Sequence, residues 1–245
     1  SKRAELEKQL AELARTQPPS RSSYFGIVDL AGFPKDRYYL YQSHWRPDFP
    51  MAHILPHWNW AGREGQIIPV HVYTSGTEAE LFVNGKSYGR KTKEEGKDFR
   101  LVWDSVVYQP GSVKVIAYKG GKKWAEDEIQ TAGVARKIQL SADHASITGN
   151  EDELAFITAT VVDASGRKVP TACLPLKVEV TGCGELVATD NGDPTSFTPF
   201  QSAERESFNG LALAIVRGKK GTTGKMQVKV SGAGLESASI EIEVK

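Results

Sequence analysis

Four consecutive residues, His57-Trp58-Asn59-Trp60, bring two indole rings together with an imidazole and an amide. Aromatic rings stack on the apolar face of a sugar while groups of this kind hydrogen-bond to its hydroxyls. The four residues are therefore the candidate substrate-binding site. In an extended backbone Trp58 and Trp60 share one face, with His57 and Asn59 on the other. Rings of this size also dominate buried interfaces, so packing between two domains is the competing reading. Asp190-Asn191-Gly192-Asp193 offers oxygens that a calcium ion could use, but the distal bidentate glutamate of an EF-hand loop is missing. Asx-turn chemistry accounts for this run, and no metal is expected there. His53 and His57 stand four apart, yet Pro56 forbids the helix that would align them for zinc. Lys86, Arg90, Lys91 and Lys93 cluster near a turn but run into Glu94 and Glu95, the pattern of a solvated face. Asp29 has no second carboxylate close by and reads as a turn or helix-cap acceptor. No serine–histidine–acid arrangement or phosphate-cradling glycine loop stands out, and no catalytic residue is assigned.

Composition narrows the classes further. The 245 residues are long enough for two separate cores. With 31 Lys+Arg against 30 Asp+Glu, no net field favours nucleic acid or an anionic membrane. No apolar run approaches the roughly twenty residues that cross a bilayer, and residues 1–15 contain no apolar signal-type stretch. Cys173 and Cys183 fall in one expected domain; a disulfide and two separate thiols are both open readings. The compartment stays open too.

The elements that would position these residues are mostly strands. Leu6, Leu10 and Leu13 recur at helical spacing in residues 2–15, and Pro18-Pro19 ends that helix. Residues 24–30 read as a short extended piece. Pro34 then suits the first turn of a helix carrying Tyr38, Tyr41 and Trp45 on one side. This βα-like unit cannot bury its own faces and needs a partner. Residues 46–65, rich in proline and aromatics, read as a linker. Alternating runs follow at 67–73, 79–83, 99–103, 112–118 and 123–131, divided by Asn84-Gly85, Pro110-Gly111 and Gly120-Gly121. A second set lies at 137–140, 154–162, 176–180, 185–188, 211–216, 225–230 and 237–244. The stretch 190–209 lacks strand periodicity and is expected to be an ordered loop. This rhythm predicts a mainly β protein with two immunoglobulin-like β-sandwiches, at 51–134 and 135–245, after a helical and βα unit at 1–50.

Three stretches carry a family resemblance: SSYFGIVDLAGFPKDRYYLYQSHW at 22–45, TSGTEAELFVNGKSYGRK at 74–91, and GCGELVATDNGDPTSFTPFQSAERESFNGLALAIVRG at 182–218. They resemble the C-terminal region of family 2 glycoside hydrolases of the β-galactosidase type. The first resembles the segment entering the final helix of the (β/α)8 barrel, and the other two resemble the sandwiches that follow it. The resemblance implies a parent enzyme that hydrolyses terminal β-linked galactose or a related sugar with retention and needs no organic cofactor. Its two catalytic glutamates would lie on earlier barrel strands, with no matching position here, so this chain is expected to be a non-catalytic piece of a longer protein. The implied partners are the carbohydrate substrate and the catalytic barrel of the same protein, and a second copy is the other expectation because the βα unit exposes apolar surface. A carbohydrate-binding module built on Trp58 and Trp60, or a spacer of the cell surface, are the alternatives.

Overall fold

In the computed structural model the described residues are 20–94, 96–150 and 152–245; the helix expected at 2–15 lies outside them. Among the described residues a helix, α1 (Asp36–Trp45), precedes sixteen strands. Strands β1 (Ala52–Leu55), β2 (Val70–Thr74) and β5 (Leu101–Trp103) form one sheet in the order β1-β2-β5. It faces a four-stranded sheet, ordered β4-β3-β6-β7, of β3 (Glu78–Val83), β4 (Lys86–Thr92), β6 (Ser112–Lys119) and β7 (Lys122–Gln130). Alternation puts Ala79, Leu81 and Val83 of β3, and Val113, Val115 and Ala117 of β6, into the space between the sheets. The β3–β4 hairpin closes through Asn84 and Gly85 at φ 50° and 79°, the left-handed pair that a two-residue loop requires. The Asn84 carboxamide also binds Ser112 N and Pro110 O, which fixes the hairpin against β6.

A second pair of sheets encloses a separate core. One is ordered β12-β14-β10-β8, from β8 (Lys137–Ala142), β10 (Leu154–Val162), β12 (Gly184–Asp190) and β14 (Leu211–Gly218). The other is ordered β13-β11-β15-β16-β9, from β9 (Ser146–Ile147), β11 (Pro175–Gly182), β13 (Glu204–Glu206), β15 (Gly224–Gly232) and β16 (Ala238–Val244). Ile157 and Val161 of β10 meet Met226, Val228 and Val230 of β15 across it. Both cysteines are free thiols: Cys173 is exposed, and the Cys183 thiol donates to Thr223 O.

Three expectations need correction. Residues 52–55, read as linker, are strand β1, whose four-residue run between Pro50 and Pro56 is too short to show a period. Pro34 is not in a helical turn. It forms an antiparallel bridge to Val28, and the helix begins at Asp36 after an extended Lys35. Residues 190–209 are mostly loop but contain strand β13 on the edge beside β11.

The loop is organised by Arg205 of β13, which is 2% exposed and faces inward. Its guanidinium makes five hydrogen bonds: to Thr189 Oγ1 and O, Ser196 Oγ, Thr198 O and Pro199 O. Carbonyls buried this way cannot be left without donors. Replacing Arg205 with lysine keeps the charge but removes the planar fork, so several acceptors lose their partners. We expect Arg205→Lys to cost about 3 kcal/mol, read as a fall in Tm of roughly 6–12 °C by thermal denaturation. An unchanged Tm would mean that the loop holds itself.

Candidate functional site

The cluster His57–Trp60 lies where the first sandwich, the second sandwich and the N-terminal segment meet, but its side chains are already engaged. Trp58 is 1% exposed. Its ring meets Tyr108 edge-on at 5.1 Å, and Nε1 donates to Gln109 O at 2.9 Å inside the first core. Trp60 is half-buried, stacked on His57 at 4.6 Å with the Arg63 guanidinium 5.4 Å from its ring, and its Nε1 donates to His57 O. The shared indole face expected of an extended segment therefore does not form, because Trp58 turns into the core and Trp60 folds back on His57. Asn59 spends its carboxamide on backbone: Nδ2 donates to Ala132 O at 2.8 Å and Oδ1 accepts from Ala132 N at 3.0 Å. Thr131 Oγ1 donates to Trp58 O at 2.6 Å. These bonds tie the chain before β2 to the chain after β7, at the entrance to the second sandwich.

Two adjoining hollows surround this junction. One, of about 610 Å³, lies between the sandwiches and is lined by His53, His57, Glu128, Gln130, Arg167 and Lys168 among others. Arg167 crosses it, donating from Nε to Gln130 Oε1 at 2.7 Å. Burial, and then the charge of Lys168, hold the His57 imidazole below its ordinary pKa. His53 is bound to Asp36 at 2.8 Å and stacks on Tyr39 at 3.9 Å, which fastens α1 to β1. The second hollow, about 740 Å³, runs between residues 24–36 and the 190–209 loop. Tyr24, Asp29, Lys35, Asp193 and Asn209 line it, and His57 and Lys168 belong to both hollows. Hydrogen-bonding groups beside aromatic rings suit a hydroxyl-rich ligand.

The other sequence candidates are placed as follows. Asp190 Oδ1 accepts from the Asn191 and Gly192 amides, Asn191 Oδ1 from Asp193 N, and Asp193 Oδ1 from Thr195 N and Oγ1, a chain of Asx turns. Arg90 pairs with Glu78, and Lys91 lies beside the Trp103 ring on the exposed strand β4. Asp29 is a turn acceptor, with Oδ1 taking the Phe33 amide at 2.9 Å. Its carboxylate also lies against Gly192, where an added Cβ would sit 2.1 Å from Asp29 Oδ2. Two contacts that the sequence reading missed thus fasten the N-terminal segment to the loop: Asp29 against Gly192, and Arg21 N donating to Pro194 O at 2.6 Å. Only the glycine, at φ 77°, carries a sequence trace of the first.

Burial raises the Asp29 pKa above its ordinary 3.8, and Asp190 pushes the same way against the Phe33 and Ala31 amides. A carboxyl raised in the folded state binds more protons there than when released. The docking of residues 20–35 on the loop therefore strengthens as pH falls through the raised pKa toward 3.8 and weakens as pH rises. Asp29→Asn keeps the Oδ1 acceptor and removes the charge, so it should abolish this pH dependence. Gly192→Ala should loosen the docking at every pH. Hydrogen exchange of the amides of residues 27–33 and 35, corrected for intrinsic rates, checks both, and equal protection in all three proteins would exclude the coupling. Within the first core, Trp58→Ala should cost about 3–5 kcal/mol and Trp60→Ala under about 1.5 kcal/mol, by denaturant titration.

Comparison with known proteins places this architecture. Residues 138–241 match the family model described as glycoside hydrolase family 2 C-terminal domain 5, and residues 65–125 match a domain of unknown function, DUF4982. The beta-galactosidase BoGH2A of Bacteroides ovatus is 42% identical over 93% of this chain and 26% of its own length. A putative beta-glucuronidase of Formosa agariphila is 33% identical over 78% of the chain and 19% of its own length. Among solved structures, a beta-glycosidase from Bacteroides vulgatus superposes with a TM-score of 0.87 at 36% identity, covering 92% of this chain and 29% of that one. The chain thus spans about a quarter of the length of the first of these relatives. It belongs to glycoside hydrolase family 2, as a C-terminal portion of enzymes of that family.

Proposed function

We propose that this chain supports the hydrolysis of β-linked sugars without carrying it out. It braces a catalytic (β/α)8 barrel belonging to the same protein, a retaining enzyme of the β-galactosidase or β-glucuronidase kind. The observation that supports this reading best is the open aromatic face before the first sandwich. Phe25 is 78% and Trp45 72% exposed, and Tyr24, Leu30, Tyr41 and Phe49 are exposed beside them. Helix α1 rests on β1 and β2, yet its only fully buried residue is Ser43. A face of this kind calls for a partner, and the barrel preceding it in the family supplies one. The units 51–134 and 135–245 would then act as the two sandwiches of the brace.

Glycoside cleavage needs two carboxyl groups flanking the bond, one to protonate the leaving oxygen and one to attack. Asp29, the carboxylate nearest the barrel-like segment, is held by its own turn and packed on Gly192, a positioning role. The engaged state of Trp58, Asn59 and Trp60 favours a structural part for that cluster over a sugar platform.

The test is to incubate this chain alone, and separately the whole protein, with aryl β-galactoside and aryl β-glucuronide. The whole protein should release the aryl alcohol from at least one, while the chain alone stays at the buffer rate. Turnover by the chain alone would overturn the reading.

A further inference from the structure

We infer that the hollow of about 610 Å³ between the sandwiches binds a small hydroxylated carboxylic acid, of the sugar-acid class, on donors from Arg167, Lys168 and His57. The inference goes beyond the brace reading and does not depend on it.

The side chains lining this hollow are unevenly served. Its two acids already have donors: Glu128 Oε1 accepts from Ser112 Oγ and Gln130 Nε2, and Asp36 Oδ1 takes the His53 ring. Its basic groups keep donors to spare. Arg167 commits Nε to Gln130, while the Asp163 carboxylate stands 3.9 Å from Nη1, too far for a hydrogen bond. Lys168 Nζ meets no acceptor among the described residues, and Asp36 is the opposing charge that acts on it. His57 Nδ1 accepts the Asn59 amide at 3.2 Å, which assigns the ring proton to Nε2. Burial and the Lys168 charge keep that ring neutral at neutral pH, so Nε2 is a donor.

The backbone that carries these donors is fixed. Arg167 and Lys168 leave a tight turn closed by Asp163, whose Oδ1 accepts from Ser165 N and Arg167 N and whose amide donates to Arg167 O. Lys168 then bridges Val162. His57 belongs to the segment pinned by Trp58 and Asn59. Lys168 is open to solvent, yet enough protein surrounds its ammonium to lower its pKa from the ordinary 10.5. A cation that is reachable and partly stripped of water is strengthened by an anion. Donors on a held backbone lose less freedom when one arrives.

Charge and size choose the ligand. Arg167 and Lys168 against Asp36 and Glu128 leave the charged lining formally neutral, so one negative charge is better tolerated than two. That favours a carboxylate over a phosphate dianion. The outer edge of the guanidinium takes a carboxylate through two parallel bonds, and Lys168 adds a point charge. The volume exceeds what a bare carboxylate fills. The second oxygens of Asp36 and Glu128 accept from hydroxyls, while Ile54 and Pro170 offer apolar faces to the carbons of a ring. Such a ligand touches His57 and Gln130 on one side and Arg167 and Lys168 on the other, and so clasps the two sandwiches together.

The experiment acetylates the whole protein with N-hydroxysuccinimidyl acetate and follows Lys168 by mass spectrometry, with exposed Lys229 as the reference. Methyl α-D-galacturonoside at about 10 mM should slow Lys168 acetylation roughly tenfold, as a Kd near 1 mM gives, and leave Lys229 unchanged. Methyl α-D-galactoside lacks the charge and acetate lacks the hydroxyls. Each should bind about tenfold more weakly and slow the reaction no more than about twofold. In Arg167→Gln the protection by the galacturonoside should fall below about twofold. If that variant is poorly folded, Arg167→Lys keeps the charge without the fork and should weaken the protection several-fold. Equal protection by phosphate or acetate would mean a site for any small anion, and equal protection by the galactoside a site for neutral sugar. No protection by any of them would mean that the hollow holds only solvent. Each of these overturns the inference, as does protection that survives the Arg167 substitutions.

Discussion

A buried guanidinium decides the shape of the end of the molecule nearest its N-terminal segment. Arg205 enters the second sandwich from a three-residue edge strand flanked by two glutamates, and its five donors meet acceptors from both sides of the loop. A long loop without regular structure normally remains mobile because its backbone groups find water as readily as each other. Here the acceptors have been taken out of water, so loosening the loop would leave them without donors, or expose a charge that desolvation has already been spent on. The Asx turns of Asp190, Asn191 and Asp193 stiffen the first part of the loop in the same sense. What results is a surface whose shape is set by the second core, several residues away.

The junction between the sandwiches follows a different logic. Asn59 behaves as a substitute strand residue, offering its carboxamide to both backbone groups of Ala132. Trp58 anchors the same segment in the first core, while Gly133 N donates to Asp163 Oδ2 of the second sandwich. Two cores that would otherwise be joined by a flexible strap are joined by side chains that pin its backbone. That use competes with sugar binding, because the amide's orientation is fixed by Ala132 and one of its donors and its oxygen are already committed there. It explains why an aromatic and polar cluster with the right composition for a ligand site serves as a fastening.

The sandwiches were legible in the sequence because strand alternation reports burial directly: Ala79, Leu81 and Val83, or Met226, Val228 and Val230, face one way at a period of two. Asn84-Gly85 fixed one hairpin for a stereochemical reason that holds locally. Strand β1 was hidden because four residues between prolines carry no period, and β13 because its one inward residue is an arginine, which alternation rules count as outward. The site was less legible than the fold. His57, Trp58, Asn59 and Trp60 were found as a group, but whether an indole faces solvent depends on Tyr108, about fifty residues away. The contact of Asp29 with Gly192 joins residues far apart in the sequence, and only the glycine marks it locally.

That long-range contact bears on what the N-terminal segment can do. Residues 24–49 expose more apolar surface than their own contacts can cover, yet they are held to both sandwiches, through His53 and Asp36 on one side and Asp29 and Arg21 on the other. A segment fixed at two separate places has its outward face set before any partner arrives. The entropy of ordering it is then already met by the sandwiches, and an incoming domain has only to cover the aromatic surface. The brace in this view is a preorganised seat, and Asp29 marks where holding it costs most: burial, with a smaller push from Asp190, raises its pKa. An asparagine there would remove the cost of burying a charge while keeping an acceptor for the Phe33 amide.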